Sequence, residues 1–312
     1  MRVSRFPSWL KKDISRGKGL FKVKNILSDL RLNTVCQSAK CPNIGECFGG
    51  GAATFMIMGT ICTRDCRFCA IHGGTPNPLE LDEPLRVAQA AKVLGLTYVV
   101  VTSVTRDDLP DGGAEHFSKT VTAIREVLPD SKVEVLVPDF KGSHDAVREV
   151  VKSSPTVFNH NMETVSRLYS MTRPGADYCR SLNVLGFAKN LDSDIVTKSG
   201  LMLGLGETRE EILCSMKDLR NVGCDVLTMG QYISPSDRHF PEERFLYPDE
   251  FKKLESIGKE MGFLGVASGP FVRSSYHAGR LLERILQQQE KDNGERQTLK
   301  VASIDHWFSE CV

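Results

Sequence analysis

From residue 54 onward the chain alternates short, near-continuous apolar runs with longer amphipathic stretches. The runs Thr54–Gly59, Thr97–Thr102, Lys132–Val137, Thr156–Asn159, Val196–Leu203, Val226–Met229 and Phe263–Ala267 predict strands buried on both faces, as in a parallel sheet covered by helices. Between them, Pro84–Leu94, Ala114–Leu128, Ser143–Val151, Ala176–Asn190, Arg209–Val222 and Tyr247–Met261 repeat apolar positions at helical spacing. Repeated β-α units give either a doubly wound open sheet or a TIM-type barrel. Six units plus a last strand predict an α/β fold of the partial TIM-type (β/α)6 barrel kind. The doubly wound sheet stays open as the alternative, although no Gly-x-Gly-x-x-Gly loop follows the first strand, where a dinucleotide fold would place it.

The pattern divides the chain into three segments. Residues 1–53 read as an N-terminal arm, with Phe6 and Trp9 as aromatic anchors and Val23, Ile26, Leu27, Leu30 and Leu32 at approximate helical spacing. Its end, 36–51, reads as a loop rich in cysteine, glycine and proline. Residues 54–262 form the barrel, and 263–312 a C-terminal segment closing over its mouth, with a polar tail.

Composition excludes more than it identifies. The 312 residues carry 40 Lys+Arg against 39 Asp+Glu, for a net charge of +1. That balance argues against nucleic acid or an anionic membrane as partner, since both need clustered cations. No apolar run approaches the roughly 20 residues of a spanning helix. No signal-peptide core follows Met1–Arg5, so a cytoplasmic, reducing location is expected.

The cysteines change the picture. Six of the ten lie between positions 36 and 69, unlike the spread of a disulfide scaffold. Cys62, Cys66 and Cys69 follow the first predicted strand, at the end where barrels keep their active sites. Three thiolates without a fourth suit a 4Fe-4S cube with one open iron. A zinc ion using His72 as fourth ligand is the alternative. Cys36, Cys41 and Cys47 form another set of three, fit for a second cluster completed from elsewhere or for a zinc knuckle. Cys179, Cys214, Cys224 and Cys311 read as packing residues or plain exposed thiols.

The Cys62–Cys69 spacing, with Phe68 between the last two thiols, resembles the signature of the radical S-adenosylmethionine (SAM) superfamily. Adding Ala39–Cys47, Asp107–Ala114, Phe158–Thr164, Lys198–Thr208, Leu227–Tyr232, Val266–Pro270 and Arg273–Tyr276, the chain resembles the lipoyl synthase family from about Trp9 to His277. The resemblance implies two 4Fe-4S clusters and SAM as cofactors. Cys62, Cys66 and Cys69 would hold the SAM-binding cluster. Cys36, Cys41 and Cys47 would hold an auxiliary one on the arm, with Ser275 as its fourth ligand. Taken alone, Ser274 and Ser275 would read as a helix N-cap pair.

It further implies a sulfurtransferase that inserts two sulfur atoms, at carbons 6 and 8 of an octanoyl group on a carrier lysine. Two SAM are used per product, and the auxiliary cluster donates the sulfur. General-base catalysis needs an acidic proton, which such carbons lack. The implied partners are octanoylated lipoyl carrier domains, namely the acyltransferase subunit of 2-oxoacid dehydrogenases and the glycine-cleavage H protein, and an electron donor such as ferredoxin or flavodoxin. Asn159, Asn161 and Glu163, at the end of the fourth strand, are candidate SAM contacts, with helix capping the alternative for the last two. Lys198 would reach SAM or substrate, or form a buried ion pair. Gly204 would admit a ligand close to the backbone, or serve a turn. Arg273 would orient a cluster or a substrate carbonyl, or pair with a surface Glu. Gly74 stands where many relatives carry a basic residue, so the loop after Cys69, His72 included, is given no role.

Overall fold

The computed structural model describes residues 6–12 and 18–289. Met1–Tyr276 form one compact unit and His277–Val312 a second, whose described part is a helix over 278–289. Cys311 lies outside the described residues. The elements of the first unit run α1 (Lys18–Asp29), β1 (Asn33–Thr34), α2 (Val35–Ser38), α3 (Ile44–Gly49), β2 (Thr54–Ile57), β3 (Ile61–Cys62), β4 (His72–Gly73), α4 (Glu83–Leu94), β5 (Tyr98–Ser103), α5 (Ala114–Val127), β6 (Lys132–Leu136), α6 (His144–Lys152), β7 (Val157–Asn159), α7 (Tyr169–Thr172), α8 (Tyr178–Leu191), β8 (Val196–Leu203), α9 (Arg209–Asn221), β9 (Val226–Gln231), α10 (Pro248–Glu260) and β10 (Gly265–Gly269).

The main sheet has the order β1-β2-β5-β6-β7-β8-β9-β10. Every neighbouring pair from β2 to β10 is parallel. A doubly wound sheet reverses its strand order at a switch point, and this one never does. Each crossover therefore turns the same way, giving the partial barrel that the alternation of elements predicts. β1 pairs antiparallel with β2 and covers that edge of the sheet.

The side-chain period of two gives the strands two unlike faces. The register aligns Phe55, Val101, Val135 and Phe158, all fully buried and apolar. The adjacent row holds Met56, Thr102, Leu136, Asn159 and Lys198. Beside it the buried Glu134 carboxylate accepts from Tyr98 Oη (2.5 Å), Asn159 Nδ2 (2.7 Å) and Lys198 Nζ (2.9 Å to each oxygen). A charge this deep is tolerable only because every oxygen is paired.

Capping fixes where the helices begin. Ser143 Oγ accepts from Ala146 N at 3.2 Å ahead of α6, and Thr208 with Glu211 forms a capping box ahead of α9. In the arm, Val23 and Leu27 of α1 are buried, and Trp9 Nε1 donates to Leu246 O at 3.2 Å with its ring 4.7 Å from that of Tyr247. The stretch expected as a loop over 36–51 instead holds α2 and α3. Thr34 Oγ1 caps α2, accepting from Gln37 N at 3.3 Å. These helices are too short to show an apolar period. Among the described residues no helix is long and apolar enough to cross a membrane.

Candidate active site

The first cysteine set sits on a braced loop. Cys62 ends β3, and its Sγ accepts from the backbone N–H groups of Arg64 (3.4 Å) and Thr105 (3.3 Å). Arg64 is buried beneath the loop, where Nε donates to Asp107 at 2.7 Å and Nη2 to Asp139 at 2.6 Å. Burial alone would lower the Arg64 pKa, yet hydrogen bonds to Asp107 and Asp139 hold it above its ordinary value. Burial would likewise raise Asp139, yet the Arg64 hydrogen bond and charge keep it at about 2. Arg180 of α8 reaches the other Asp139 oxygen at 3.3 Å. His239 Nε2 donates to Cys69 O at 3.0 Å.

The second set is assembled from pieces far apart in sequence. Cys36 lies in α2, Cys41 between the two short helices and Cys47 in α3. Thr54, the first residue of β2, donates from Oγ1 to Ser275 Oγ at 2.9 Å. Burial pushes the Cys36 thiol up, and hydrogen bonding with the Thr54 backbone and hydroxyl pulls it partly back. Thr54 thus touches both the first thiol of the set and the serine expected to complete it. Ser275 is held there by its neighbours: Tyr276 Oη donates to Glu46 at 2.8 Å, and Lys12 pairs with the same carboxylate at 2.6 Å. Neither serine caps the barrel's helices; their hydroxyls turn to Thr54 and to β7.

Whether these thiols fit a cluster can be read from their surroundings. Burial pushes Cys47 up to about 12, with the Cys36 and Cys41 charges adding to it. Burial pushes Cys69 up to about 12 as well, with Cys66 and Cys62 adding. In each set, then, burial raises two thiols that the charges of their neighbours raise further, a penalty that bound iron would offset. Among the described residues no three His, Cys, Asp or Glu side chains converge tightly enough for one metal ion. A cube places each thiolate on its own iron, so three cysteines would leave one iron open. His72 is exposed on β4.

The remaining expected residues ring the barrel mouth. Asn159 Nδ2 donates to Ser274 Oγ at 2.7 Å, while its Oδ1 is buried without a partner. Asn161 Nδ2 donates to Glu163 at 3.0 Å, and its Oδ1 accepts from Ser274 Oγ at 3.1 Å. Burial raises the Glu163 pKa against the pull of Arg173, Asn161 and Arg273. Burial lowers the Arg273 pKa against the charges of Cys41 and Glu163. Lys198 is committed to Glu134, the ion-pair alternative of the sequence reading. At Gly204 (φ 105°) the close approach comes from the chain itself, for a Cβ there would meet Gln231 Nε2 at 2.3 Å and Arg244 O at 2.5 Å.

Sequence reasoning missed Thr54 and Arg173. The Arg173 charge acts on both Cys66 and Glu163, and its Nη1 donates to Asn161 O at 3.0 Å. Neither residue carried a motif signal. A cavity of about 620 Å³ is lined chiefly by the Cys66–Cys69 loop and the residues after it, with Ser38 and Lys40 from the second cysteine stretch and His239 also in its wall. Cys179 and Cys214 are exposed, and Cys224 is buried.

Comparison with known proteins agrees with this layout. Residues 56–219 match the radical SAM superfamily, and residues 2–41 match the N-terminal domain of lipoyl synthase of that family. Lipoyl synthase of Caldanaerobacter subterraneus subsp. tengcongensis is 58% identical over 274 residues, covering 88% of this chain and 96% of that protein. Lipoyl synthase of Rubrobacter xylanophilus is 54% identical over 272 residues, covering 87% and 85%. Among solved structures, the hydrogenase maturase HydG aligns with a TM-score of 0.54 at 16% identity over 80% of this chain and 63% of its own, a likeness of fold alone. SuiB of Streptococcus suis bound to SAM aligns at 0.52 with 12% identity, over 70% and 51%. With its barrel, its two cysteine sets and these relatives in agreement, the chain belongs to the lipoyl synthase family of the radical SAM superfamily.

Proposed function

We propose that this lipoyl synthase inserts sulfur at carbons 6 and 8 of an octanoyl group carried on a lysine of a lipoyl carrier domain, consuming two SAM per product. Family membership brings SAM and 4Fe-4S clusters as cofactors. When bound, they supply the electron that splits SAM into a hydrogen-abstracting radical, and the sulfur that replaces the hydrogen. Cys62, Cys66 and Cys69 hold the SAM-binding cluster; Cys36, Cys41, Cys47 and Ser275 hold the auxiliary one. Asn159, Asn161 and Glu163 line the mouth as SAM contacts, joined by Arg173. In this reading 1–53 carry the auxiliary site, 54–262 the radical machinery and 263–312 the segment that supplies Ser275.

One observation carries the assignment: the cavity that has cysteine-loop residues of both sets in its walls. A carbon that must lose hydrogen to one centre and gain sulfur from the other needs such a shared space. We assign the octanoylated acyltransferase subunit of 2-oxoacid dehydrogenases and the glycine-cleavage H protein as carriers, a ferredoxin or flavodoxin as reductant, and the cytoplasm as location, which suits free thiols. The test is anaerobic reconstitution with iron and sulfide, followed by SAM, reductant and an octanoylated carrier. Deoxyadenosine and a lipoylated carrier are expected by mass spectrometry. Deoxyadenosine with an unchanged carrier, despite full iron loading, would sink the sulfur-insertion reading.

A further inference from the structure

Residues 270–276 form a strap across the barrel mouth, and consecutive side chains grip different parts of the molecule. The strap crosses β9 at Gly230, where a Cβ would stand 2.0 Å from Val272 O. Arg273 Nη1 donates to Val272 O at 2.7 Å, and its charge is felt by Cys41 and Glu163. Ser275 meets Thr54 and Tyr276 meets Glu46. Ser274 is the link to the barrel interior. Its hydroxyl accepts from Asn159 Nδ2 at 2.7 Å and donates to Asn161 Oδ1 at 3.1 Å, using its one proton and a lone pair on two rim residues of the same strand end. Those asparagines are anchored in turn, Asn159 to the fully buried Glu134 and Asn161 to Glu163.

We propose that Ser274 is a positioning residue that sets how firmly Ser275 keeps its iron, by pinning the strap to Asn159 and Asn161. The proposal rests on the reading of Ser275 as fourth ligand of the auxiliary cluster. The chemistry follows from the sharing of one short backbone segment. An alkoxide stays off its iron only once Ser275 has drawn away, and drawing back the strap that carries it breaks the two hydrogen bonds of Ser274. The pinned strap keeps the donor cluster closed. Anything that takes over the hydrogen bonds of Asn159 or Asn161 frees it, and the unpartnered Asn159 Oδ1 leaves a donor-accepting position beside the link.

The test follows iron transfer to a ferrous chelator from the full-length, anaerobically reconstituted enzyme without substrate, with Mössbauer spectra assigning the lost iron to one cluster. Ser274→Ala is expected to release the auxiliary iron about tenfold faster than the parent, the effect of losing one or two hydrogen bonds of ordinary net strength. Ser274→Thr keeps the hydroxyl and should restore the slow rate. Asn161→Ala removes the acceptor instead of the serine and should accelerate release about threefold, so the idea stays testable even if Ser274→Ala loads its cluster poorly. Parent-like release from both Ser274→Ala and Asn161→Ala, alongside fast release from Ser275→Ala, overturns the strap alone. Parent-like release from Ser275→Ala as well overturns the ligand reading beneath it.

Discussion

The two cysteine sets are built by opposite means. Cys62, Cys66 and Cys69 lie on one short loop, bolted from beneath by Arg64 to Asp107 and Asp139. Cys36 and Cys47 lie on two short helices of an arm with Cys41 between them, and Ser275, their proposed partner, arrives from the far end of the barrel, met by Thr54 and clamped through Tyr276, Glu46 and Lys12. A loop braced by buried charges keeps its shape through repeated electron transfers. A set assembled from arm, strand and strap can open at one seam while the others hold. The contrast suits the two roles proposed for the sets: one to hold a cluster that survives each turnover, the other one that surrenders atoms.

The sharpest way to break this comparison is to remove one thiol from each set. Cys66→Ala is expected to abolish SAM cleavage, because the first cluster loses one of three thiolates and has no spare ligand nearby. Cys41→Ala should leave deoxyadenosine formation within about threefold of the parent, an allowance of under 1 kcal/mol, while lipoyl product disappears. Both are read by chromatography of the nucleoside and mass spectrometry of the carrier. Equal loss of deoxyadenosine in the two variants would mean that the sets do not work separately.

Buried charge offers the next test. Asp139 is held at about 2 by Arg64 against the effect of burial. Its folded pKa is therefore depressed below the unfolded value near 4, so its stabilising contribution is present above about pH 4 and fades as pH falls toward 2. Asp139→Asn should cost about 2 kcal/mol near neutral pH, seen as a lower urea midpoint, and the deficit should shrink on acidification through that window. A deficit that does not vary with pH would mean that the carboxylate braces the loop by shape rather than charge.

The sequence makes the barrel legible because its strands are buried on both faces, so that a run such as Val196–Leu203 announces itself without reference to its neighbours. Gly204 and Lys198 show where that reading stops. One sequence cannot say whether a glycine makes room for a ligand or for Gln231, which depends on the register of β8 against β9, nor that Lys198 meets Glu134, which depends on registers between β6, β7 and β8. The cysteines are legible by spacing, which is local. Thr54 is not, because a threonine opening a strand carries no signal until Ser275, far along the chain, is folded onto it. The arm misled in a related way: α2 is stabilised by its Thr34 cap and α3 by burial of Phe48, rather than either by an apolar stripe.

The smallest effect sharpens the seam itself. Lys12 pairs with Glu46 at 2.6 Å, donates to Asn43 Oδ1 at 2.7 Å, and lies 5.2 Å from the ring centroids of both Phe271 and Tyr276. It therefore joins arm to strap without touching a thiol. Partly exposed ion pairs and cation–π contacts are each weak, so Lys12→Ala should lower stability by about 1 kcal/mol, with SAM cleavage unchanged. If arm and strap form one seam, the added instability appears locally, as faster amide hydrogen exchange at 43–47 and 271–276 with the barrel strands unaffected. Exchange that rises equally in β5 to β8 would instead show that the arm is part of the barrel's own folding unit, and the division between a braced centre and an openable one would fail.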